Sequence, residues 1–345
     1  MHAFVYHGPG QGSWESVSDP GIEQPTDAVV RVDATTVCVG DLHALQGEVS
    51  DVRPGTVLGH EAVGEVLDVG AEVHDIVPGD DVIVSSISSC GHCMACWQGV
   101  FGQCTQGGGW LLGREVGGTQ ADFVRVPFAD HSVHKLPYGM DRDTAVLFSE
   151  VTPAAFELGV RNGKVRPGTV VVVVGAGPIG LAAMIIAGIY SPARVISVDL
   201  SPQRLTAARS MGADDAELPG RLIADLSEGP GADVVIEAAG SSDSFVLCTQ
   251  VVRSGGRIAN IGLHETPVSL HLEQLSRKNI TISTGQVDTS SISWLLDVLT
   301  PEHVEAISRI ITQRREIEDI RAAYDIASRA TSTNALRTIL HPGRQ

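Results

Sequence analysis

The pattern of apolar positions differs between the first part of the chain and the middle. Residues 1–150 contain short β-branched runs at Ala28–Val32, Ala62–Val69 and Asp81–Val84, which Gly and Pro separate. Runs of this length between turn residues predict strands, and Pro78-Gly79-Asp80 is a strong turn signal. The first part is therefore predicted to be mainly β-structure with long loops.

Apolar runs in the middle of the chain alternate with segments of helical pattern. Val170–Val174 is an unbroken run of five valines, which is typical of a strand buried on both faces of a parallel sheet. Later runs of this kind are Arg194–Val198, Ala232–Ala238, Arg257–Ile261 and Ile280–Ser283. Strands that alternate with helices predict a doubly wound α/β sheet.

Helix boundaries are marked by capping residues and prolines. Asp143–Gly163 has apolar residues at helical spacing, with a kink or a new start expected at Pro153. Ser201 and Pro202 predict the N-cap and first residue of another helix. Later in the chain the pattern predicts helices over Ser290–Leu299 and Arg315–Ser328, and a strand over Asn334–Leu340.

A glycine-rich turn follows the five valines. Gly175, Gly177 and Gly180 fit G-x-G-x-x-G, in which the glycines permit a tight turn, close approach to a pyrophosphate, and close packing of helix on strand. A transmembrane helix is the alternative for this uncharged stretch, but the glycines and Pro178 break it into halves too short to span a bilayer. The turn therefore predicts a dinucleotide site.

Predicted cofactor contacts lie in this turn and after neighbouring strands, where such sheets bind ligands. Asp199 lies 24 residues after Gly175, near the spacing of the acid that binds the adenosine ribose. Asp199 favours NAD(H) over NADP(H) because it would repel a 2′-phosphate, although Arg204 weakens this preference. The predicted contacts are Gly175, Gly177, Pro178, Ile179, Gly180, Asp199, Arg204, Ala239, Gly240, Ile261, Gly262 and Gly285.

Length and charge limit the classes of function. A chain of 345 residues exceeds one ordinary core, so two domains are expected. A formal net charge of −17 argues against nucleic acid and against anionic membranes as partners. Residues Met1–Tyr6 lack the basic and apolar regions of a secretory signal, so a cytoplasmic location is expected.

Four cysteines are closely spaced. Cys90, Cys93, Cys96 and Cys104 form C-x2-C-x2-C-x7-C, and four thiolates can close a tetrahedral shell around one zinc with no open position. The alternative is a disulfide knot, which the acidic, non-secreted character of the chain disfavours. Residues 90–104 are therefore predicted to form a lobe held by a structural zinc.

A second candidate metal site is spread over the first half of the chain. Cys38 follows the strand-like run Val32–Val37, and His60 and Glu61 precede Ala62–Val69. A thiolate and an imidazole suit zinc, and a carboxylate could complete a three-ligand catalytic site. Taken alone, these residues are equally consistent with a buried cysteine and a hydrogen-bonded loop histidine.

The chain resembles the zinc-dependent medium-chain alcohol dehydrogenases over nearly its whole length. The resemblance is carried by the glycine motif, the four-cysteine segment and the pair Cys38 and His60. The resemblance implies a GroES-like, β-rich catalytic domain formed by residues 1–151 and 288–345, with a Rossmann domain at 152–287. It also implies two zinc ions per chain, one catalytic and one structural, and a homodimer or homotetramer.

The resemblance assigns roles at the catalytic zinc. Cys38 and His60 are expected as ligands, with Glu61 as an adjacent acid that can exchange onto the metal. Glu150 is expected as the third ligand, where the family more often has Cys or Asp. Asp41 resembles the acid that orients the ligating histidine.

Three further roles follow from the resemblance. His43 resembles the far end of the proton relay. Trp110 resembles a residue that lines the substrate pocket, and simple packing is its alternative. Arg337 resembles the basic residue that meets the pyrophosphate, and a solvated charge is its alternative.

Two positions depart from the family pattern. Gly40 stands where the family usually has the Ser or Thr of the proton relay, and Ala154 stands where it often has Thr beneath the nicotinamide. The expected activity is hydride transfer between NAD(H) and a small-molecule alcohol or its aldehyde or ketone. The departures favour, as the alternative, a reductase acting on a conjugated C=C bond or another atypical substrate. A nucleotide-binding protein that has lost catalysis is a further alternative from another class.

Overall fold

The computed structural model describes residues 1–107, 109–227, 229–333 and 335–343. Its strands, in chain order, are β1 (His2–Gly8), β2 (Gln11–Ser16), β3 (Ala28–Thr36), β4 (Ala62–Val69), β5 (Asp81–Val84), β6 (Phe123–Val126), β7 (Val133–Lys135), β8 (Val170–Val174), β9 (Arg194–Val198), β10 (Asp215–Glu217), β11 (Ala232–Glu237), β12 (Val252–Asn260), β13 (Thr281–Ser283), β14 (Ile311–Glu316) and β15 (Arg337–His341).

The α-helices, in chain order, are α1 (Val39–Gln46), α2 (Met94–Trp97), α3 (Ala129–Ser132), α4 (Arg142–Val146), α5 (Val151–Ala154), α6 (Pro178–Gly188), α7 (Pro202–Ser210), α8 (Pro219–Ser227), α9 (Ser242–Val251), α10 (Leu272–Leu275), α11 (Ile292–Val298), α12 (Pro301–Ser308), α13 (Ile320–Ser328) and α14 (Ala330–Thr333). A π-helix, Ala155–Arg161, continues α5. In the described part of the chain, no helix has the length and apolar composition that a membrane crossing requires.

The chain forms two compact units, each made of more than one segment. The first contains Met1–Glu150, Asp288–Val298 and Ile311–Gln345, and the second contains Val151–Val287 and Leu299–Ile310. Residues 299–310 thus group with the second unit, whereas the family resemblance places them in the C-terminal return of the first. The reason is that α12 packs on α6 and that Ile307 of α12 and Ile310, two residues after its end, are fully buried.

A mixed sheet forms the framework of the first unit. Its strand order is β14-β15-β3-β4-β5-β7, with β6 added against β3, and its core includes Val30, Val66 and Val82. At the end of β3, Thr35 pairs with Ala62 at the start of β4, and Thr36 pairs with Ile339 on β15. The residues that follow β3 therefore lie between those that precede β4 and those that begin β15.

The second unit is built on six parallel strands in the order β10-β9-β8-β11-β12-β13. The five-valine strand β8 lies inside this sheet, between β9 and β11, and Val171–Val173 are fully buried. This burial explains why the strand carries β-branched residues at every position. The predicted doubly wound parallel sheet is confirmed.

Several predicted elements have the observed bounds. β4, β5 and β9 begin and end at the predicted residues. The helix α7 begins at Pro202, where the Ser201 side chain accepts a hydrogen bond from the backbone N–H of Arg204, as the capping pattern predicts. The last strand runs over Arg337–His341, and Asn334, its predicted first residue, lies outside the described residues.

Two predicted helices are wrong in part. Arg315 belongs to β14, and the regular helix α13 begins only at Ile320, because Arg315 pairs with Leu340 of β15 and sheet pairing overrides the local helical pattern. The helix predicted over Asp143–Gly163 is interrupted between α4 and α5. This break leaves Glu150 in a turn directly before α5, where its side chain is not confined to a helix face.

The ion pair that connects β15 to α4 and β14 predicts a pH-dependent stability. His341 Nε2 lies 2.7 Å from Asp143 Oδ1, and Asp143 also pairs with Arg314. The hydrogen bond to Asp143 raises the pKa of His341. The folded state therefore holds this proton more tightly than the unfolded state, so the stabilisation is complete below about pH 6.5 and is lost as pH rises through the folded-state pKa.

We expect this loss to lower the free energy of unfolding by less than about 1 kcal/mol, because the His341 side chain is 33% exposed. Urea denaturation at about pH 6 and about pH 9 measures it. The variant His341→Gln should lack this component, and an unchanged pH dependence in the variant would contradict the assignment.

Candidate metal and cofactor sites

Three loops meet at one end of the sheet in the first unit. Cys38 follows β3, His60 and Glu61 precede β4, and Glu150 precedes α5. The pairing of β3 with β4 brings the first two loops side by side. As a result, one ligand atom from each of the four residues lies within 4.8 Å of the others.

The spacing of these ligand atoms fits a zinc ion. Cys38 Sγ lies 3.3 Å from Glu150 Oε2. His60 Nε2 lies 3.2 Å from the same oxygen and 3.9 Å from Glu61 Oε1. Ligands at about 2.0–2.3 Å from a tetrahedral zinc are about 3–4 Å from one another. The residues present therefore fit a zinc held by Cys38, His60 and Glu150, with Glu61 beside it.

Burial and mutual charge set the protonation of this cluster. Burial alone would raise the pKa of Glu150, but the His60 ring and Arg337 lower it to about 2. Burial raises the pKa of the Cys38 thiol, and the Glu150 carboxylate raises it further. Burial disfavours a charged His60, yet Asp41 and Glu150 raise its pKa well above the ordinary value. Metal binding at this cluster must therefore release protons.

Glu61 is held by a buried arginine. Arg337 Nη2 lies 2.9 Å from Glu61 Oε1, and Arg337 Nη1 donates to the Val37 carbonyl at 3.0 Å. Burial raises the pKa of Glu61 to about 7, although the guanidinium opposes this shift. With 5% of its surface exposed, Arg337 is not a solvated charge. Its predicted contact with a pyrophosphate stays a prediction.

His60 is oriented on its other side by Asp41. Asp41 Oδ1 lies 2.9 Å from His60 Nδ1, and Asp41 Oδ2 accepts the Cys38 backbone N–H at 2.9 Å. Gln120 Nε2 also donates to Oδ2, at 3.2 Å. The contact with Asp41 is the one expected from the resemblance. Gln120 was not predicted, because a single polar residue between a Gly-Gly turn and β6 does not indicate a site.

Gly40 lies beside an aromatic ring. A Cβ placed on Gly40 would lie 3.4 Å from Trp110 Cη2 and 3.7 Å from His60 Cε1. The rings of Trp110 and His60 contact each other edge to face, with centroids 5.0 Å apart. Trp110 thus borders the metal cluster where the relay hydroxyl is missing, and its contact with substrate stays a prediction. His43 is on α1, where its Nδ1 contacts Glu48.

The four cysteines converge without disulfides. Cys93 Sγ lies 3.5 Å from Cys96 Sγ and 3.9 Å from Cys104 Sγ, and Cys90 belongs to the same group. Disulfide sulfurs are about 2.05 Å apart, whereas thiolates on one tetrahedral zinc are about 3.8 Å apart. Backbone N–H groups of Cys96 and Thr105 lower the pKa of Cys93 to about 5, and burial raises that of Cys96 to about 12. The geometry fits a closed zinc site.

The glycine turn of the second unit connects β8 to α6. Gly175 has φ +105°, and a Cβ on Gly180 would lie 1.8 Å from the Gly175 carbonyl oxygen. A Cβ on Gly177 would meet only Arg204 Nη1, at 4.0 Å. Pro178 is the first residue of α6 and is followed by Ile179. This arrangement presents the N-terminus of α6 beside an open turn, as phosphate-binding turns do.

Two glycine substitutions are expected to separate folding from cofactor binding. Gly180→Ala should lower the melting temperature by several degrees, because its methyl group would collide with backbone. Gly177→Ala should fold normally but weaken cofactor binding by about tenfold or more, because the second glycine makes room for the pyrophosphate. Calorimetry and cofactor titration measure the two effects. Equal losses of stability in both variants would contradict this division.

Asp199 lies directly after β9, next to the glycine turn. Its Oδ2 accepts the Ala176 N–H at 2.8 Å, and its Oδ1 accepts the Ser201 N–H at 2.8 Å. Arg204 Nη1 lies 3.7 Å from Asp199 Oδ2. The structure therefore places a carboxylate and a guanidinium together at this turn.

A buried glutamate organises the turns after β11 and β12. Glu237 is fully buried, and its Oε1 accepts the backbone N–H groups of Ala239 and Gly240, each at 2.9 Å. The Glu237 carbonyl accepts the N–H groups of Ile261 and Gly262. Glu237 thus holds together four predicted cofactor contacts, a role that no pattern in the sequence indicates. Gly285, also predicted, follows β13.

Comparison with known proteins gives consistent matches. The alcohol dehydrogenase GroES-like domain model matches residues 24–138, and the zinc-binding dehydrogenase model matches residues 178–300. The structure of a zinc-dependent alcohol dehydrogenase 2 from Streptococcus pneumoniae is 36% identical, with TM-score 0.92, and the match covers 100% of this chain and 99% of that one.

Two curated relatives extend the comparison. A zinc-type alcohol dehydrogenase B of Aspergillus flavus is 34% identical over 87% of this chain and 72% of its own length. An NADP-dependent isopropanol dehydrogenase of Thermoanaerobacter brockii is 33% identical over 76% of this chain and 75% of its own length. On this similarity, and with the GroES-like and Rossmann-type folds confirmed, the chain belongs to the zinc-dependent medium-chain alcohol dehydrogenase family.

Proposed function

We propose that this protein transfers a hydride between NAD(H) and an alcohol with its aldehyde or ketone. The observation that carries the proposal is the convergence of Cys38, His60 and Glu150 on one point of the first unit. Three protein ligands drawn from sulfur, nitrogen and oxygen are typical of catalytic zinc. The glycine turn of the second unit supports the nucleotide half of the proposal.

The chain's own residues would hold the metal and prepare its surroundings. When bound, zinc would supply a Lewis acid that polarises the substrate oxygen and lowers the pKa of an alcohol. Cys38, His60 and Glu150 would hold it, and Asp41 keeps the His60 ring oriented. Glu61, fastened to Arg337, is a spare carboxylate next to the ligands. The four cysteines of residues 90–104 would hold a second, structural zinc.

The route of the alcohol proton differs from the usual relay. His43 is the proposed outer group, because its ring is 18% exposed and contacts Glu48, so it can exchange a proton with solvent. Gly40 offers no hydroxyl between the cluster and this ring. We propose that a water molecule or a hydroxyl of the substrate takes that place.

The proposed cofactor is NAD(H). Asp199 stands at the position expected to bind the adenosine ribose and would repel a 2′-phosphate. Arg204, 3.7 Å from Asp199, offers a phosphate partner, and the T. brockii relative is named NADP-dependent. The two cofactors must therefore be compared directly.

A substrate panel tests the proposal. Purified, zinc-loaded protein is assayed by nicotinamide absorbance with primary and secondary alcohols, and with the matching carbonyls, using each cofactor. Turnover of at least one pair, with kcat/KM higher for NAD(H), supports it. Binding of NADH without turnover of any substrate would instead support a nucleotide-binding protein that has lost catalysis.

A reductase of conjugated C=C bonds is the second candidate, favoured by the missing hydroxyl at Gly40 and the alanine at Ala154. Such a reaction does not require the relay from an alcohol oxygen to His43. Comparing an enone with the matching allylic alcohol under NADH and NADPH separates the two activities. Faster reduction of the C=C bond than of the C=O bond would favour this candidate.

Restoring a hydroxyl at position 40 tests the relay. We expect Gly40→Ser to raise kcat for alcohol oxidation by about tenfold if the relay limits the rate. The added Cβ would meet Trp110 only at van der Waals distance, so Ser fits, and Gly40→Ala is the matched control without a hydroxyl. Equal rates in the Ser and Ala variants would remove the relay as the explanation.

A further inference from the structure

We propose that Gln120 and Tyr324 are positioning residues for the catalytic metal, an inference that rests on the proposed zinc site. They extend the contacts of His60 across the core of the first unit. Tyr324 Oη donates to Gln120 Oε1 at 2.8 Å, and Gln120 Nε2 donates to Asp41 Oδ2 at 3.2 Å. Asp41 Oδ1 completes the series at His60 Nδ1. All four side chains are at least nine-tenths buried.

The chemistry of the acceptors sets the direction of every hydrogen bond in this series. Gln120 Nε2 also donates to the Thr36 carbonyl at 3.1 Å. Because that carbonyl and the Asp41 carboxylate only accept, the amide nitrogen must face both of them. Its oxygen then faces Tyr324, whose hydroxyl must donate. Asp41 accordingly accepts at both oxygens, and His60 donates from Nδ1, so Nε2 is the nitrogen that would bind a metal once its proton is released.

Gln120 also shapes the loop that delivers His60. Its backbone N–H donates to the Leu58 carbonyl at 2.9 Å. Gly59, with φ +97°, packs so tightly that a Cβ there would lie 2.6 Å from Gln120 Cγ. One residue therefore positions His60 twice, through the backbone that precedes it and through the carboxylate that orients its ring.

Tyr324 connects this hydrogen-bonded series to the C-terminal segment of the chain. It lies on α13 and is 3% exposed, and its ring packs against Phe4 with centroids 5.2 Å apart. In the described part of the chain, the hydroxyl is connected to the metal site by its hydrogen bond to the Gln120 amide. Loss of the hydroxyl should therefore have a smaller effect than loss of the amide, and no additional effect once the amide is gone.

Zinc retention tests the proposal without any substrate. Zinc-loaded protein is dialysed against graded concentrations of chelator, and zinc per chain is counted. Gln120→Leu should release the catalytic zinc at about tenfold lower chelator concentration, and Tyr324→Phe at about threefold lower. The double variant should release the catalytic zinc at the same chelator concentration as Gln120→Leu. The concentration that removes zinc from the four cysteines should be unchanged. Cobalt-substituted Gln120→Leu should show shifted ligand-field absorption, because the His60 ring is less constrained.

Tyr6→Phe is the matched control, because Tyr6 is another buried tyrosine of the same core cluster. The proposal is overturned if the release curves of both variants match the wild type, if the two effects add in the double variant, or if Tyr6→Phe releases zinc as readily as Tyr324→Phe. Wild-type protein that holds only one zinc would overturn the proposed zinc site itself, and this inference with it.

Discussion

Replacing His60 with Ala should leave one zinc per chain instead of two and lower kcat/KM by about 10³-fold or more. The reason is that His60 is the only nitrogen ligand of the proposed site, and a Lewis acid at the reacting oxygen contributes several kcal/mol to catalysis. Metal analysis and steady-state kinetics on the same preparation measure both effects. The variant should keep its fold, because residues 90–104 retain their own metal.

His271→Ala is the control for this variant, because the His271 side chain is 61% exposed and pairs with Glu273 in the second unit. It should keep two zinc ions and wild-type kinetics. Wild-type activity in His60→Ala would show that the reaction does not depend on the cluster of Cys38, His60 and Glu150. In that case the C=C reductase becomes the better account.

Removing a ligand of the proposed structural zinc should have the second large effect, on stability. In residues 90–104 the side chains that pack together are the cysteines themselves, with Phe101 and Phe128 beside them, while Met94 and Trp97 are mostly exposed. Such a lobe has too little apolar core to fold without metal, and structural zinc contributes about 10–16 kcal/mol in isolated zinc-finger peptides. Cys96→Ser should therefore unfold the lobe and lower the melting temperature.

Limited proteolysis and metal analysis measure this outcome. The variant should be cut within residues 90–104 and should hold one zinc. The control is Cys248→Ser, since Cys248 is fully buried in α9, outside either cluster, and should keep both zinc ions. Resistance of Cys96→Ser to proteolysis would show that the lobe is held by packing and not by metal.

The parts of the fold that the sequence predicts well are those governed by local patterns. The buried strand β8, the cap at Ser201 and the close contact of Gly180 each follow from residue type and immediate neighbours. The strand β14 was missed because its partner β15 lies about two dozen residues further along the chain. The grouping of residues 299–310 with the second unit depends on packing against α6, which no local pattern indicates.

In the candidate site, too, local patterns indicate some residues, whereas contacts between distant segments determine the roles of others. Cys38, His60 and the four cysteines could be proposed from ligand type and spacing, and Glu150 from family resemblance. Gln120, Tyr324 and Glu237 could not, because their roles arise from hydrogen bonds between distant segments and their residue types are common. Arg337 was recognised as important, but its buried contact with Glu61 depends on the pairing of β15 with β3.

The segmented make-up of the two units bears on the order of events during synthesis. The chain crosses between them at 150/151, 287/288, 298/299 and 310/311. The second unit therefore has all its segments once Ile310 has left the ribosome, whereas the first unit, with Cys38 and His60, still lacks Tyr324 and Arg337. The four cysteines proposed to hold the structural zinc lie within fifteen residues and leave the ribosome early, whereas the residues that support the proposed catalytic site from the C-terminal segment leave it last.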